Sequence, residues 1–212
     1  MSRIAISFLL LAPLARACLA AGIDVVVSDP AGNPVADAVV YALAASGPSD
    51  AKGARTVAIE QVDREFVPYV SVVQTGTTVT FPNRDPILHH VYSFSPPKIF
   101  EIKLYSGKSP SQIHFDTPGV VTLGCNIHDW MIGHVLVVST PYFGKADASG
   151  AVRLRELPAG TYELRAWHPQ QRGAPPPQSL ALEGPAPASA RFTMEVVPRK
   201  ARYKPPLDRN RY

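Results

Sequence analysis

The sequence predicts an all-β protein, and three observations carry that reading. Twenty-two prolines are spread through 212 residues, which leaves little room for long helices. Short runs rich in Val, Ile, Thr and aromatic residues alternate with polar positions, the period of a half-buried strand. Dense Gly, Pro, Asn and Asp clusters separate those runs. Apolar residues make up 46% and charged residues 18%, enough to build a core and too apolar for global disorder. The length suits one or two domains. The expected architecture is one β-sandwich inserted in, or flanked by, a second small β-sandwich.

Charge excludes one class of partner. The chain carries +4 overall, but residues 199–212 hold six Lys/Arg against one Asp and the first twenty residues add Arg3 and Arg16. With +5 in the tail and +2 in the leader, residues 21–198 are at −3. The basicity is terminal, so the body is not a nucleic-acid-binding surface. The tail is read as disordered, and its charge suits weak contact with a membrane surface or steering of an acidic partner.

The elements follow in order. Arg3, an apolar run over 4–14 and then small residues form a secretory signal peptide over 1–20, with cleavage near Ala20. The run is too short for a transmembrane segment, and no other stretch reaches that length. Arg16 stands where a lipoprotein leader wants a small residue, so Cys18 is not read as a lipidation site. The expected location is periplasmic or secreted. Cys125 is then the one cysteine of the mature chain, either free, paired between molecules, or a metal ligand.

The first part of the small sandwich is placed at 21–55, with strands at 23–27 and within 35–45 about the turn DPAGNP and a loop at 46–53. A central domain is placed at 56–139. Its strands are expected at 57–62, 70–73, 77–81, 90–94, 113–115, 120–123 and 135–138, with 70–73 and 77–81 flanking the turn at Thr75-Gly76. The second part of the small sandwich is placed at 140–198. Here 152–155 and 161–167 read as strands, 169–188 mostly as proline-rich loop, and 190–197 as a last strand.

The chemistry sits in two segments of the central domain. One is Asn83-Arg84-Asp85-Pro86-Ile87-Leu88-His89-His90, and the other is Gly124-Cys125-Asn126-Ile127-His128-Asp129-Trp130-Met131. The second offers a thiolate, an imidazole and a thioether within seven residues, and the first supplies another imidazole. Two imidazoles and a thiolate in a plane with a weak axial Met is a blue-copper donor set.

These residues resemble the cupredoxins, most closely those of amicyanin type. The run Asn83-Arg84-acid-x-x-x-His89, the Cys125-x-x-His128-x-x-Met131 spacing, Gly76-x-x-Val79-x-Phe81 and Phe115-x-x-Pro118-Gly119 all carry the resemblance. The segments VYSFS and LGCNIHDWM are also similar to bacterial plastocyanin-like proteins of methylamine-utilisation type. The resemblance covers 66–138 and implies a Greek-key β-sandwich with one type 1 copper held by His89, Cys125, His128 and Met131. Alignment favours His89 over His90, which then stands where many cupredoxins have Asn. It also implies that the ring edge of His128 lies near the surface as the electron route, with Asp129 and Trp130 beside it as a docking patch. Segments 22–45 and 146–166 resemble the two halves of a carboxypeptidase-regulatory-like, transthyretin-type β-sandwich.

The implied function is one-electron transfer between redox partners such as a c-type cytochrome or a dehydrogenase, not catalysis. The alternatives are copper handling or storage without redox turnover, and a structural envelope module. Gly124 and Asn126 flank Cys125, so the histidine flanks that lead to a second copper cluster in multicopper oxidases are absent. His114, His134 and His168 have no ligand-spaced partner in the sequence.

Overall fold

The structure is a computed structural model of the chain that describes residues 21–47 and 55–199. The expected leader at 1–20 and the tail beyond Arg199 lie outside the described residues, as does most of the expected loop at 46–53. The described residues form seventeen strands and no helix.

The chain begins with β1 (Ala21–Ser28) and β2 (Val39–Ala44). The central stretch holds β3 (Thr56–Ala58), β4 (Glu60–Val62), β5 (Glu65–Val67), β6 (Val70–Gln74), β7 (Thr77–Thr80), β8 (His89–Ser95), β9 (Lys98–Tyr105), β10 (Gln112–Phe115), β11 (Gly119–Gly124) and β12 (Ile132–Val138). The last stretch holds β13 (Phe143–Lys145), β14 (Ala151–Leu157), β15 (Gly160–Trp167), β16 (Gln178–Leu182) and β17 (Ala188–Thr193).

The central strands form a five-stranded sheet, β6-β12-β11-β8-β9, and a three-stranded sheet, β10-β7-β3. Both sheets contribute to one core that includes Phe66, Val79, Phe81, Phe115, Leu123 and Val135. Burying side chains of this size contributes roughly 1.5–3 kcal/mol each, before the entropy of ordering them. The other strands form β14-β1-β17 and β13-β2-β15-β16 around a second core that includes Ile23, Val25, Leu154, Leu164 and Phe192. In that module β1 runs antiparallel to β14 and parallel to β17, so segments more than 120 residues apart share one sheet. A third cluster, Val39, Val70, Leu136 and Val138 with Tyr41, Tyr69 and Trp167, is the seam between the two.

The period of β1 accounts for its place. Ile23, Val25 and Val27 are buried, while Asp24 faces outward and pairs with Arg155 of β14 at 2.7 Å. Its neighbouring turn needs Gly150. This residue has φ +76°, accepts the Val27 N–H on its carbonyl, and would place a Cβ 2.3 Å from the Val27 oxygen.

Three local readings are corrected. Residues 57–62 are not one strand: the chain breaks at Ile59 and turns back as the β4–β5 hairpin, whose two-residue loop holds Asp63 and Arg64 at positive φ. Strands β6 and β7 flank Thr75-Gly76 as expected, and the turn is a corner between two sheets. Strand β9 was missed because its register is irregular and much of it is exposed. The proline-rich stretch holds β16 as the edge partner of β15, a proline-free run between Pro177 and Pro185.

Candidate metal centre

Two loops meet at one end of the central sandwich. Strand β7 ends at Thr80, and the chain crosses to the five-stranded sheet to start β8 at His89. Strand β11 ends at Gly124 beside β8, and Cys125 follows at once. Sheet pairing therefore brings His89 and Cys125 together, although 36 residues separate them.

The first loop is held by Asn83. Its side-chain NH2 donates to the carbonyls of Ile87 (2.8 Å) and Tyr105 (3.0 Å), and its Oδ1 accepts from the Asp85 N–H at 2.9 Å. That fixes Asp85 so that its carboxylate accepts from the backbone N–H groups of Asp63 (2.7 Å) and Arg64 (2.8 Å) at the tip of the β4–β5 hairpin. The same carboxylate meets His89 Nε2 at 2.7 Å.

Burial opposes ionisation of Asp85, but the Arg64 N–H, the His89 ring and the Asp63 N–H outweigh it and hold the carboxyl below its usual range. Burial pushes His89 down more strongly than Asp85 raises it, so the ring is neutral at neutral pH. The contact is then an imidazole N–H donated to a carboxylate rather than an ion pair. With the proton on Nε2, the lone pair is on Nδ1, the atom that faces the sulfur of Cys125 at 3.9 Å.

The second loop turns back on itself, with the Met131 N–H donating to the His128 carbonyl at 2.8 Å. His128 Nδ1 lies 3.6 Å from the Cys125 sulfur. Burial, then the neighbouring His89 and Arg64, push His128 down to about 4. The ligating atoms of His89, Cys125 and His128 all lie within 4.8 Å of one another, and all three residues are buried. Burial pushes the Cys125 thiol up, while backbone N–H groups of His90, Ile127 and His128 aim at the sulfur and act in the opposite direction. Met131 is 1% exposed and lies in the same buried cluster as Cys125.

This donor set fits copper. It offers one thiol that can ionise beneath three N–H groups, two neutral imidazoles with a lone pair turned inward, and a buried thioether in the loop.

His90 points elsewhere. Its Nε2 meets the Glu101 carboxylate at 2.9 Å, while its backbone N–H serves the sulfur. Its main chain thus links the two loops although its side chain does not. Gly124 has no room for a side chain, because a Cβ there would lie 2.7 Å from the Tyr92 ring. That close approach is a physical reason for the missing histidine flank.

His128 is buried, at 2% exposed. Trp130 packs over it with ring centroids 5.2 Å apart, and Arg64 lies 5.9 Å above the indole. Sequence reasoning also passed over the roles of Asp85, of the 63–64 hairpin and of Tyr92. The acid four residues before His89 was a readable signal. The hairpin was not, because Asp-Arg is not an ordinary sequence for a turn with two positive φ values. His114 is exposed and contacts Asp116, and His134 and His168 lie away from the cluster at the seam.

No protein-family model matches the chain, and neither does any curated protein. Solved structures are similar to part of it. A purple cupredoxin from Nitrosopumilus maritimus is 23% identical over 40% of this chain and 99% of its own, with a TM-score of 0.35. A reduced mutant of amicyanin is 21% identical over 48% of this chain and 99% of its own, with a TM-score of 0.36. A copper-containing nitrite reductase from Thermus scotoductus is 22% identical over 54% of this chain and 28% of its own, with a TM-score of 0.36.

Proposed function

We propose that the protein is an exported carrier of single electrons, with one type 1 copper held by His89 Nδ1, Cys125 Sγ and His128 Nδ1 and with Met131 as the weak fourth donor. The observation that supports this most is the mutual approach of three buried donor atoms within 4.8 Å. Copper, when bound, supplies a reversible one-electron change. The chain does the rest. Asp85 fixes the tautomer and orientation of His89. Three backbone N–H groups support charge on the Cys125 sulfur. Burial of His89, Cys125 and His128 keeps water out. With four donors from the chain, no position is left for a substrate, so the reading is a carrier and not an enzyme.

The same reading takes 56–139 as a cupredoxin-type domain and takes 21–55 with 140–198 as one small β-sandwich built from both ends of the chain. The pairing of β1 with β14 and β17 supports this division. Export rests on the leader over 1–20, and a redox protein such as a c-type cytochrome or a dehydrogenase is the expected partner. Voltammetry of the copper-loaded protein tests the function. A reversible one-electron couple is expected. Copper that passes readily to a chelator, with no reversible couple, would assign the protein to copper handling instead.

A further inference from the structure

A cleft of about 600 Å³ opens along the seam between the two modules, next to the metal centre. That volume lies within the range of small-molecule sites, roughly 300–1,000 Å³, which favour domain interfaces. The central module contributes Tyr69, Trp130, Ile132 and His134 to its wall, and the outer module contributes Gln170, Val197 and Arg199. Neither module makes the site alone.

The wall has a definite chemistry. Tyr69 and Trp130 are its aromatic residues, and Ile132 and Val197 are aliphatic. Arg199 is its charged lining residue; no carboxylate lines the cleft, and the guanidinium also reaches Glu65 Oε1 at 3.8 Å. The outer module orders the aromatic side: Gln170 Nε2 donates to the Tyr69 hydroxyl at 2.7 Å, and the Arg199 guanidinium lies 4.3 Å over the Tyr69 ring. The Trp130 indole Nε1 is a buried donor with no hydrogen-bond partner. Leaving such a donor unmatched costs about 1–3 kcal/mol. A flat ring would fill the apolar wall, and acceptor oxygens on it would meet the guanidinium. Trp130 is also the ring that covers His128. An occupant of the cleft therefore sits one side chain away from a candidate ligand.

We propose that this cleft binds a planar aromatic molecule bearing acceptor oxygens, of the quinone class, against Trp130 and Arg199. The assignment of a redox-active ring rests on the electron-carrier reading, whereas the binding itself does not need the metal.

The test uses the full chain without copper, titrated with naphthoquinone sulfonate. Binding is followed by calorimetry and by the Trp130 indole N–H resonance. Saturable one-to-one binding is expected, with a shift of that resonance. Trp130→Leu should weaken it by roughly three- to tenfold, the worth of an aromatic pair. Arg199→Gln, a change at the surface that does not threaten the fold, should weaken it several-fold. Phe94→Ser, at an exposed position outside the cleft, should leave it unchanged. The proposal is overturned if no saturation is seen, if neither Trp130→Leu nor Arg199→Gln weakens binding, or if naphthalene sulfonate, which lacks the carbonyls, binds as tightly. Because copper is absent, failure here leaves the metal reading standing. Binding here together with a copper-loaded protein that shows no reversible couple would sink only the carrier reading.

Discussion

At Asp85 three donors converge on one carboxylate: two backbone N–H groups from a strained hairpin and the Nε2 of His89. Hydrogen bonds to a charged acceptor are worth about 1.5–3 kcal/mol, and a group left behind without its partner costs more than the mean. Asp85→Ala should therefore lower stability by about 2–3 kcal/mol. Urea unfolding checks this, with a lower midpoint at an unchanged slope. The choice between the adjacent histidines is decided at the same scale. His89→Ala should abolish stoichiometric copper binding, while His90→Ala should keep it, since His90 turns its ring to Glu101. Copper analysis after desalting reads this directly, and the opposite pattern would shift the ligand assignment by one residue.

Much of the site was legible at residue scale because donor spacing along a strand or a tight loop is a local property. His89, Cys125 and His128 stood at readable positions and lie together. What the sequence did not disclose depends on residues brought in from elsewhere. Trp130 covers His128, and the Asp63–Arg64 turn reaches Asp85 from 21 or 22 residues away.

Strands β8 and β11 meet where the Tyr92 ring comes close to Gly124, so the approach of the strands that position His89 and Cys125 depends on a missing side chain. Gly124→Ala forces a methyl to within 2.7 Å of that ring. Overpacking of this kind costs about 1–3 kcal/mol. Thermal unfolding should show the loss, and Tyr92→Ala in the same chain should recover part of it, because the two residues touch. Element readings failed where context outweighs pattern. Residues 57–62 alternate well enough for one strand, yet Thr56–Ala58 pairs with β7 while Glu60–Val62 pairs with β5. The run therefore serves two pairings in succession. Strand β16 is a short proline-free run hidden between Pro177 and Pro185.

The two cores and their seam set the behaviour of the whole molecule. Ile23, Val25 and Val27 of β1 complete the outer core against β14 and β17. Deleting 22–55 should expose that apolar face and cause aggregation, while a fragment of 56–139 retains copper binding. Light scattering and copper analysis of the two fragments would show this. The seam is also sensitive to acid. Burial, with His168 and Arg199 adding to it, pushes His134 down to about 4 from its ordinary 6.5. Burial lowers His168 as well, against the pull of Asp37. Between those two values the unfolded chain binds a proton that folded His134 refuses, so stability is full above 6.5 and falls as the pH drops toward 4. His89 and His128 are depressed too, so the difference between proteins is the readout. His134→Gln should lose less melting temperature than the parent between about pH 7 and about pH 4.5. Equal losses would remove His134 from the account.

The central claim is that Cys125 gives its sulfur to copper in a plane with two imidazoles. The visible absorption spectrum of the oxidised, copper-loaded full chain tests this most directly, recorded beside that of Cys125→Ser. An intense visible band is expected in the parent, and it should vanish when the sulfur is replaced by oxygen. A spectrum with only weak bands, or one that Cys125→Ser leaves unchanged, would contradict it.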